Sequence, residues 1–113
     1  MERNSLTEIN DDDFMLNYHE NESNKEFESR IEEVLSSKGR ILILKTLAEM
    51  EELNISAIAR VTNLNHNTTS QHLEFLTKVG LVQEKRFGRI KIFRFRSENI
   101  RARSLKKLFE IWK

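Results

Sequence analysis

The stretch NHNTTSQHLEFLTKVGLV, residues 65–82, decides the fold of this 113-residue chain. It opens with eight polar residues, continues with apolar residues at intervals of three and four, and ends at Gly80 followed by two apolar residues. Asn65 is a favourable residue at a helix N-cap, and glycine is typical of the left-handed position that ends a helix. The pattern therefore predicts a helix over about residues 66–79 whose first turns are polar.

The two sides of this predicted helix differ in chemistry. One side, which we predict to be the inner side, carries Thr69, His72, Leu73, Leu76 and Gly80. The other side is polar or charged and carries His66, Asn67, Ser70, Gln71, Glu74 and Lys78. A helix in the major groove of DNA reads bases with its first turns, where Asn and Gln pair bidentately with adenine. An ordinary surface helix would show the same polar face, so this helix alone leaves both interpretations open.

Three further helices are predicted before residue 65. The first is amphipathic, ends near Gly39 and carries Phe27, Ile31, Val34 and Leu35. The second is more buried and carries Ile41, Leu42, Leu44, Leu47, Ala48 and Met50. The third is capped by Asn54 or Ser56, and its inner face carries Ile55, Ile58, Ala59 and Thr62.

Asn63 stands where the chain must turn between the third and fourth helices. Asparagine is the non-glycine residue that best tolerates a left-handed backbone. Two helices joined by so tight a turn, the second with a polar start, predict a helix-turn-helix.

A basic hairpin and a last helix are predicted after Gly80. Residues 90–96 alternate as a strand does, residues 86–89 form the turn, and Phe93 and Phe95 share a face that we expect to pack on the core. The hairpin strands carry Lys85, Arg86, Arg89, Lys91, Arg94 and Arg96. Such a wing beside a recognition helix binds the DNA backbone or enters the minor groove.

The last helix carries an apolar stripe formed by Ile100, Leu105, Leu108, Phe109, Ile111 and Trp112. The predicted fold is thus mainly α with a small β-hairpin wing, in the order of four helices, hairpin and helix.

Charge divides the chain into two parts. Residues 1–26 hold eight acidic and two basic residues, a net charge of −6, whereas residues 27–113 hold 17 basic and ten acidic residues, a net charge of +7. We therefore predict an acidic N-terminal tail over residues 1–26 and a DNA-binding domain over residues 27–113. The tail would be a solvated segment, a weak DNA mimic that competes for the wing, or a segment that docks through residues 14–18.

Composition excludes several classes of protein. The chain has no cysteine, which excludes disulfides and thiol catalysis. No apolar run approaches the roughly 18 residues that a membrane helix needs, so we expect a cytoplasmic protein. We find no nucleophile paired with a base, no P-loop and no dinucleotide fingerprint, and therefore expect no enzyme and no cofactor.

Residues 57–95, AIARVTNLNHNTTSQHLEFLTKVGLVQEKRFGRIKIFRF, resemble the ArsR family of winged helix-turn-helix repressors. The matching positions are Ala59, Asn63, Asn65, Ser70-Gln71-His72-Leu73, Leu76, Gly80-Leu81-Val82 and the basic hairpin. The resemblance covers roughly residues 27–113 and implies a homodimer built from the first and last helices. The residues that we expect in this interface are Phe27, Ile31, Leu105, Leu108 and Trp112.

The departures from the family concern metal sensing. Metal sensors of this family carry a cysteine pair leading into the third helix, or histidine and carboxylate ligands on the last helix. Here residues 53–56 read LNIS and the last helix has no histidine. His66 and His72 fall on different faces of their helix. We therefore expect no metal site, and no sensing of arsenic, cadmium or zinc by those routes.

The sequence thus predicts a sequence-specific regulator of transcription that binds double-stranded DNA as a homodimer and represses. The residues expected to contact DNA are His66, Asn67, Thr68, Ser70, Gln71, Lys78, Arg86, Arg89 and Lys91. The alternative is a winged-helix module that binds protein or RNA within a larger transcription or processing complex.

Overall fold

The computed structural model describes residues 29–113, so the predicted acidic tail and Phe27 lie outside the described residues. Within that range the chain forms five helices and three strands, which are α1 Ile31–Val34, α2 Lys38–Met50, β1 Glu52–Asn54, α3 Ile55–Thr62, α4 His66–Lys78, β2 Val82–Phe87, β3 Ile90–Phe95 and α5 Ile100–Ile111. The predicted class, mainly α with a small β wing, is confirmed.

The break between α1 and α2 comes earlier than predicted, and Gly39 does not end a helix. Ser37 is the N-cap of α2, where its side chain accepts a hydrogen bond from the Arg40 backbone N–H, and Gly39 lies in the first turn of α2. A Cβ at position 39 would stand 3.3 Å from both His72 Nε2 and Leu64 Cδ1. The glycine therefore allows α2 to approach α4 and the turn before it, a tertiary reason that helical periodicity does not reveal.

Helix α2 is the centre of the core. Its buried residues are Ile43, Leu44, Leu47 and Ala48, whereas Met50, which we predicted to be inside, is exposed. The helix ends at Glu51, whose φ of 73° turns the chain into β1.

Strand β1 was not predicted. It has three residues and pairs antiparallel with β3, Leu53 opposite Phe93, which gives a three-stranded sheet in the order β1-β3-β2. Three residues are too few to show alternation, so the strand is defined only by its partner in the sheet.

The hairpin of β2 and β3 has the expected core face. Its register sets Val82 opposite Phe95 and Phe87 opposite Ile90, across a two-residue connection of Gly88 and Arg89. Gly88 has a φ of +64°, which suits glycine in so short a turn. Val82, Phe93 and Phe95 are buried, so the predicted packing of both phenylalanines on the core is confirmed.

Helix α5 closes the described chain and covers one side of the core. The Asn99 side chain caps it by accepting hydrogen bonds from the backbone N–H groups of Arg101 and Ala102. Ala102 and Leu105 are buried against the core. Between residues 29 and 113, no helix has the length and apolar character required to cross a membrane.

Candidate nucleic-acid interface

The turn before α4 is built as predicted and fixes the angle at which α4 leaves α3. Asn63 adopts the left-handed conformation, with φ 60° and ψ 38°. Leu64 donates its backbone N–H to the Ala59 carbonyl at 3.1 Å and packs partly buried against the core. A helix-turn-helix therefore lies at the position that the sequence indicated.

Two of the short polar residues at the start of α4 have structural roles. The Asn65 side chain accepts a hydrogen bond from the Thr68 backbone N–H at 2.7 Å, which makes it the predicted N-cap. Thr69, fully buried, donates its hydroxyl to the Asn65 carbonyl at 2.8 Å. Capping and burial therefore account for Asn65 and Thr69 but not for the polar residues between and after them.

The remaining polar residues of α4 form one accessible face. His66, Asn67, Gln71 and Lys78 are exposed, while Thr68 and Ser70 are half-buried. Within residues 29–113 their side chains make no hydrogen bond or ion pair, so their donors and acceptors are available to a ligand. The face begins in the first turn of α4 and continues to its last residue.

His72 lies on the opposite side of α4, where Arg40 and Ser37 hold its ring. Arg40 Nε donates to His72 Nδ1 at 3.4 Å, and His72 Nε2 lies 3.4 Å from Ser37 Oγ. Burial and then the Arg40 charge lower the pKa of His72 below its ordinary value. His72 is half-buried, so its predicted position on the inner side of the helix is confirmed.

Arg40, which our sequence reasoning did not select, links three elements. Its guanidinium carbon lies 4.1 Å from the centroid of the Phe75 ring, and one of its terminal nitrogens donates to the Glu33 carbonyl in α1. Arg40 therefore connects α1 and α2 to the inner side of α4. The sequence gives no signal for this role, since Arg40 is separated from His72 by 32 positions.

The tip of the wing adds two unpaired cations to Lys78 of α4. Lys85 pairs with Glu52 at 2.7 Å and Arg86 with Glu84 at 3.2 Å. Arg89 and Lys91 make no ion pair or side-chain hydrogen bond with any residue from 29 to 113. These two cations are the ones most available to phosphate.

At the base of the wing, two arginines share one carboxylate. Arg94 donates to both carboxylate oxygens of Glu98, at 3.1 and 2.9 Å, and Arg96 donates to Glu98 at 3.1 Å and to the Gly80 carbonyl at 3.2 Å. The hydrogen bond from Arg94 is the main reason that the pKa of Glu98 falls to about 2. We had counted these two arginines with the basic wing. Through Glu98 they instead connect the base of the wing to the turn before α5.

The tip of the wing also carries two apolar side chains that our sequence reasoning did not select as a site. Phe87 is 58% exposed and Ile90 is 54% exposed. They are cross-strand partners on the sheet face opposite Phe93 and Phe95. The alternation in IKIFRF, residues 90–95, predicts this second apolar face, because Ile90 and Ile92 lie on the side of the strand opposite Phe93 and Phe95.

Comparison with known proteins places this arrangement in a family. The model for "bacterial regulatory protein, arsR family" matches residues 37–84. The crystal structure of a possible transcriptional regulatory protein from Mycobacterium bovis, fragment 1–100, is 32% identical to this chain. The alignment covers 69% of this chain and 81% of that one, with a TM-score of 0.59. The chain belongs to the ArsR family.

Other solved structures extend the comparison. A solution structure from Mycobacterium bovis is described as a homodimeric winged helix-turn-helix DNA-binding domain and is 32% identical. It covers 70% of each chain with a TM-score of 0.59. NolR from Sinorhizobium fredii is 29% identical over 71% of this chain and 78% of its own, also with a TM-score of 0.59. BigR from Xylella fastidiosa, 21% identical with a TM-score of 0.62 over 87% of this chain and 93% of its own, shares the fold.

The segment that we compared with the thiol ligands of ArsR metal sensors has another role here. Residues 53–56 span the end of β1 and the start of α3. The Asn54 side chain accepts a hydrogen bond from the Ala57 backbone N–H at 2.8 Å, which makes it the N-cap of α3. Of the two predicted caps, Asn54 is therefore the correct one.

The ArsR dimer surface that we predicted is partly open in this protein. Ile31 is 64%, Leu108 42% and Trp112 80% exposed, whereas Leu105 is only 7% exposed and belongs to the core. Leu108 stands between two apolar grooves. One, of about 480 Å³, is lined chiefly by Ile31, Val34, Val79, Leu81 and Leu105. The other, of about 760 Å³, is lined chiefly by Leu35, Ile41, Ala48, Phe109 and Trp112.

Proposed function

We propose that this ArsR-family protein binds specific sequences of double-stranded DNA as a homodimer, with α4 in the major groove and the wing on the backbone or in the minor groove. The observation that carries the proposal is the accessible polar face of α4, whose side chains have no partner within residues 29–113. Water would satisfy these groups on an ordinary surface helix, but this helix follows a helix-turn-helix turn at Asn63 and precedes a wing whose Arg89 and Lys91 have no ion-pair partner within residues 29–113.

The proposed roles follow from side-chain chemistry. Asn67 and Gln71 present amides that pair bidentately with adenine, and His66 and Ser70 supply further hydrogen-bonding groups near the same bases. Thr68 and Lys78, at the two ends of α4, are assigned to the backbone. Arg86, Arg89 and Lys91 are assigned to phosphate, with Arg86 the weakest because Glu84 already accepts from it.

The homodimer is supported by the exposed apolar residues of α1 and α5 and by the homodimeric relative from Mycobacterium bovis. A monomer would leave Ile31, Leu108 and Trp112 in water. We keep Phe27 and Leu105 in the proposed interface. Leu105 would take part through the edge of its side chain, which lines the groove of about 480 Å³.

Repression is the outcome that needs the fewest assumptions, because a dimer bound at a promoter blocks the polymerase without any further contact. We also propose a cytoplasmic location, because the proposed partner is DNA. We assign it no catalytic role, because the family consists of regulatory proteins and the groups that α4 and the wing present suit binding. Residues 27–113 form the DNA-binding domain in this proposal, and residues 1–26 a separate acidic tail.

Fluorescence anisotropy with labelled duplex, single-stranded DNA and single-stranded RNA across a salt series tests the proposal. We expect a preference for duplex DNA and a steep fall of affinity with salt, since each phosphate neutralised contributes about −0.9 to the slope of log K against log salt. Arg89→Ala should lower the slope by about one unit, whereas Arg103→Ala, which removes an exposed arginine from α5, should leave it unchanged. Equal affinity for all three nucleic acids, or co-purification with a protein partner and no duplex binding, would favour the alternative interaction module.

A further inference from the structure

The tip of the wing presents an apolar pair that the core does not use. Phe87 and Ile90 face each other across the strands, next to the two-residue turn, on the sheet face opposite the buried Phe93 and Phe95. Ile92 continues the same face, half-buried. Two large apolar side chains at the end of a hairpin contribute little to the fold, because more than half of each is in water.

Positive charge lies near this pair, with Lys85 on the same sheet face and Arg86 and Lys91 on the opposite one. Residues 85–91, KRFGRIK, hold four cations and no acid. Lys85 Nζ lies 5.9 Å from the centroid of the Phe87 ring. Arg89 in the turn and Lys91 beside Ile90 have no ion-pair partner among the described residues. An apolar tip flanked by Arg89 and Lys91 suits DNA, in which phosphates border the groove and the space between stacked bases accepts apolar side chains.

The turn is also narrow. A Cβ at Gly88 would have no heavy atom within 4 Å, so nothing packs over the end of the hairpin. The minor groove of B-DNA is only about 6 Å wide, and a two-residue turn with one glycine presents a small cross-section to it.

We propose that Phe87 and Ile90 form a wedge that enters the minor groove beside the site read by α4 and partly unstacks one base step. Apolar side chains inserted in this way kink DNA by roughly 20–90° towards the major groove. Pyrimidine–purine steps such as TA and CA unstack most easily, so the wedge selects for such a step without a hydrogen bond to its bases. This inference rests on the proposed function and deepens it, since it adds a second, shape-dependent element of specificity.

Selection of duplexes from a random pool, followed by bend measurement by energy transfer between labelled ends, tests the wedge. The proteins are the full-length wild type, the double variant Phe87→Ala/Ile90→Ala, and the control Met50→Ala, which removes an exposed apolar side chain far from the wing in sequence. We expect the wild type and the control to select a pyrimidine–purine step at a fixed distance from the bases under α4, and to bend the duplex. We expect the double variant to keep the wild-type preference for the bases under α4. Its preference for the pyrimidine–purine step should fall roughly tenfold, a factor comparable with the effect of one mismatched base pair, and it should no longer bend the duplex.

Retention of the bases under α4 shows that the variant is folded, because that selection requires an intact helix-turn-helix. Unchanged step preference and bend in the double variant would overturn the wedge while leaving the proposed function in place. A wild type that retains no duplex would overturn both. Binding of an acidic peptide in preference to duplex, lost in the double variant, would overturn the wedge in favour of a protein partner for the tip.

Discussion

At the scale of single residues, the contact between Arg40 and His72 fixes the protonation of the imidazole. Arg40 Nε only donates, so His72 Nδ1 must accept, and the proton of the neutral ring lies on Nε2 towards Ser37. A second proton would place an N–H on Nδ1 against the Arg40 N–H and a positive charge beside the guanidinium. The inner side of α4 is therefore built for a neutral histidine.

The stability of the fold should consequently fall in mild acid. The pKa of His72 is lowered in the folded state, so the unfolded chain takes up the proton first, near its ordinary pKa of about 6.5. Stability is then fully present above about 6.5 and decreases as the pH falls below it. We expect the free energy of unfolding by urea to decrease between pH 7.5 and 5.5 in the wild type and less so in His72→Gln. His66→Gln, a change at an exposed histidine of the same helix, should keep the wild-type slope. If the free energy of unfolding fell equally with pH in the wild type and in His72→Gln, the acid destabilisation would not come from His72.

At the scale of elements, α4 begins with residues that divide between structure and binding. Asn65 caps the helix through the Thr68 backbone N–H, and Asn67, two positions later, is exposed with no partner within residues 29–113. The same residue type therefore serves two purposes within one turn, which allows a matched comparison.

Asn65→Ala should destabilise the fold by about 1 kcal/mol, because alanine leaves the N-terminal N–H groups of α4 without their cap. Asn67→Ala should change the free energy of unfolding by less than about 0.5 kcal/mol but weaken binding to specific duplex. Urea denaturation and duplex titration of both variants check this. Equal stability losses would show that position 65 does not act as a cap.

The base of the wing should weaken in acid for a different reason. Arg94 and Arg96 lower the pKa of Glu98 to about 2, so the stabilisation from this carboxylate is present above its ordinary pKa of about 4.3 and is lost as the pH falls towards 2. Glu98 is about half exposed, which limits the effect to roughly 1 kcal/mol or less. We expect Glu98→Gln to destabilise the protein at pH 7 and to flatten the decline of its stability between pH 5 and 3. A decline as steep as that of the wild type would contradict the prediction.

The features predictable from sequence are those that depend on neighbours along the chain. The caps at Asn54 and Asn65, the left-handed Asn63 and the alternation that buries Phe93 and Phe95 all act within a few residues. The features that were missed depend on distant partners. Gly39 is small because His72 approaches it, β1 exists because β3 pairs with it, and Arg94 and Arg96 share the one carboxylate of Glu98 beyond the end of the strand. A list of basic residues therefore overstated the charge that the wing offers to DNA.

At the scale of the whole molecule, the described chain has a polar, cationic surface on α4 and the wing and an apolar surface on α1 and α5. Arg40 connects them, since it contacts the Glu33 carbonyl in α1 and the inner side of α4.

Leu108→Glu should disrupt the dimer, because it places a charge between the two apolar grooves. We expect sedimentation velocity to show a rise in the dimer dissociation constant of at least tenfold, which corresponds to about 1.4 kcal/mol. Lys107→Glu, which introduces the same side chain at the neighbouring exposed position, should have a much smaller effect. A wild-type protein that is monomeric at micromolar concentration would contradict the proposed interface.

The division of roles between α4 and the wing is tested most directly by titrating Gln71→Ala and Arg89→Ala against one selected duplex and its single-base variants at several salt concentrations. Gln71→Ala should weaken the best site by about 1–3 kcal/mol and remove discrimination at one base, as loss of a bidentate contact does. Arg89→Ala should weaken every duplex by a similar factor and lower the salt slope by about one. If the affinity of both variants fell by the same factor for every duplex at every salt concentration, α4 would not recognise the bases and the wing would not bind the phosphates.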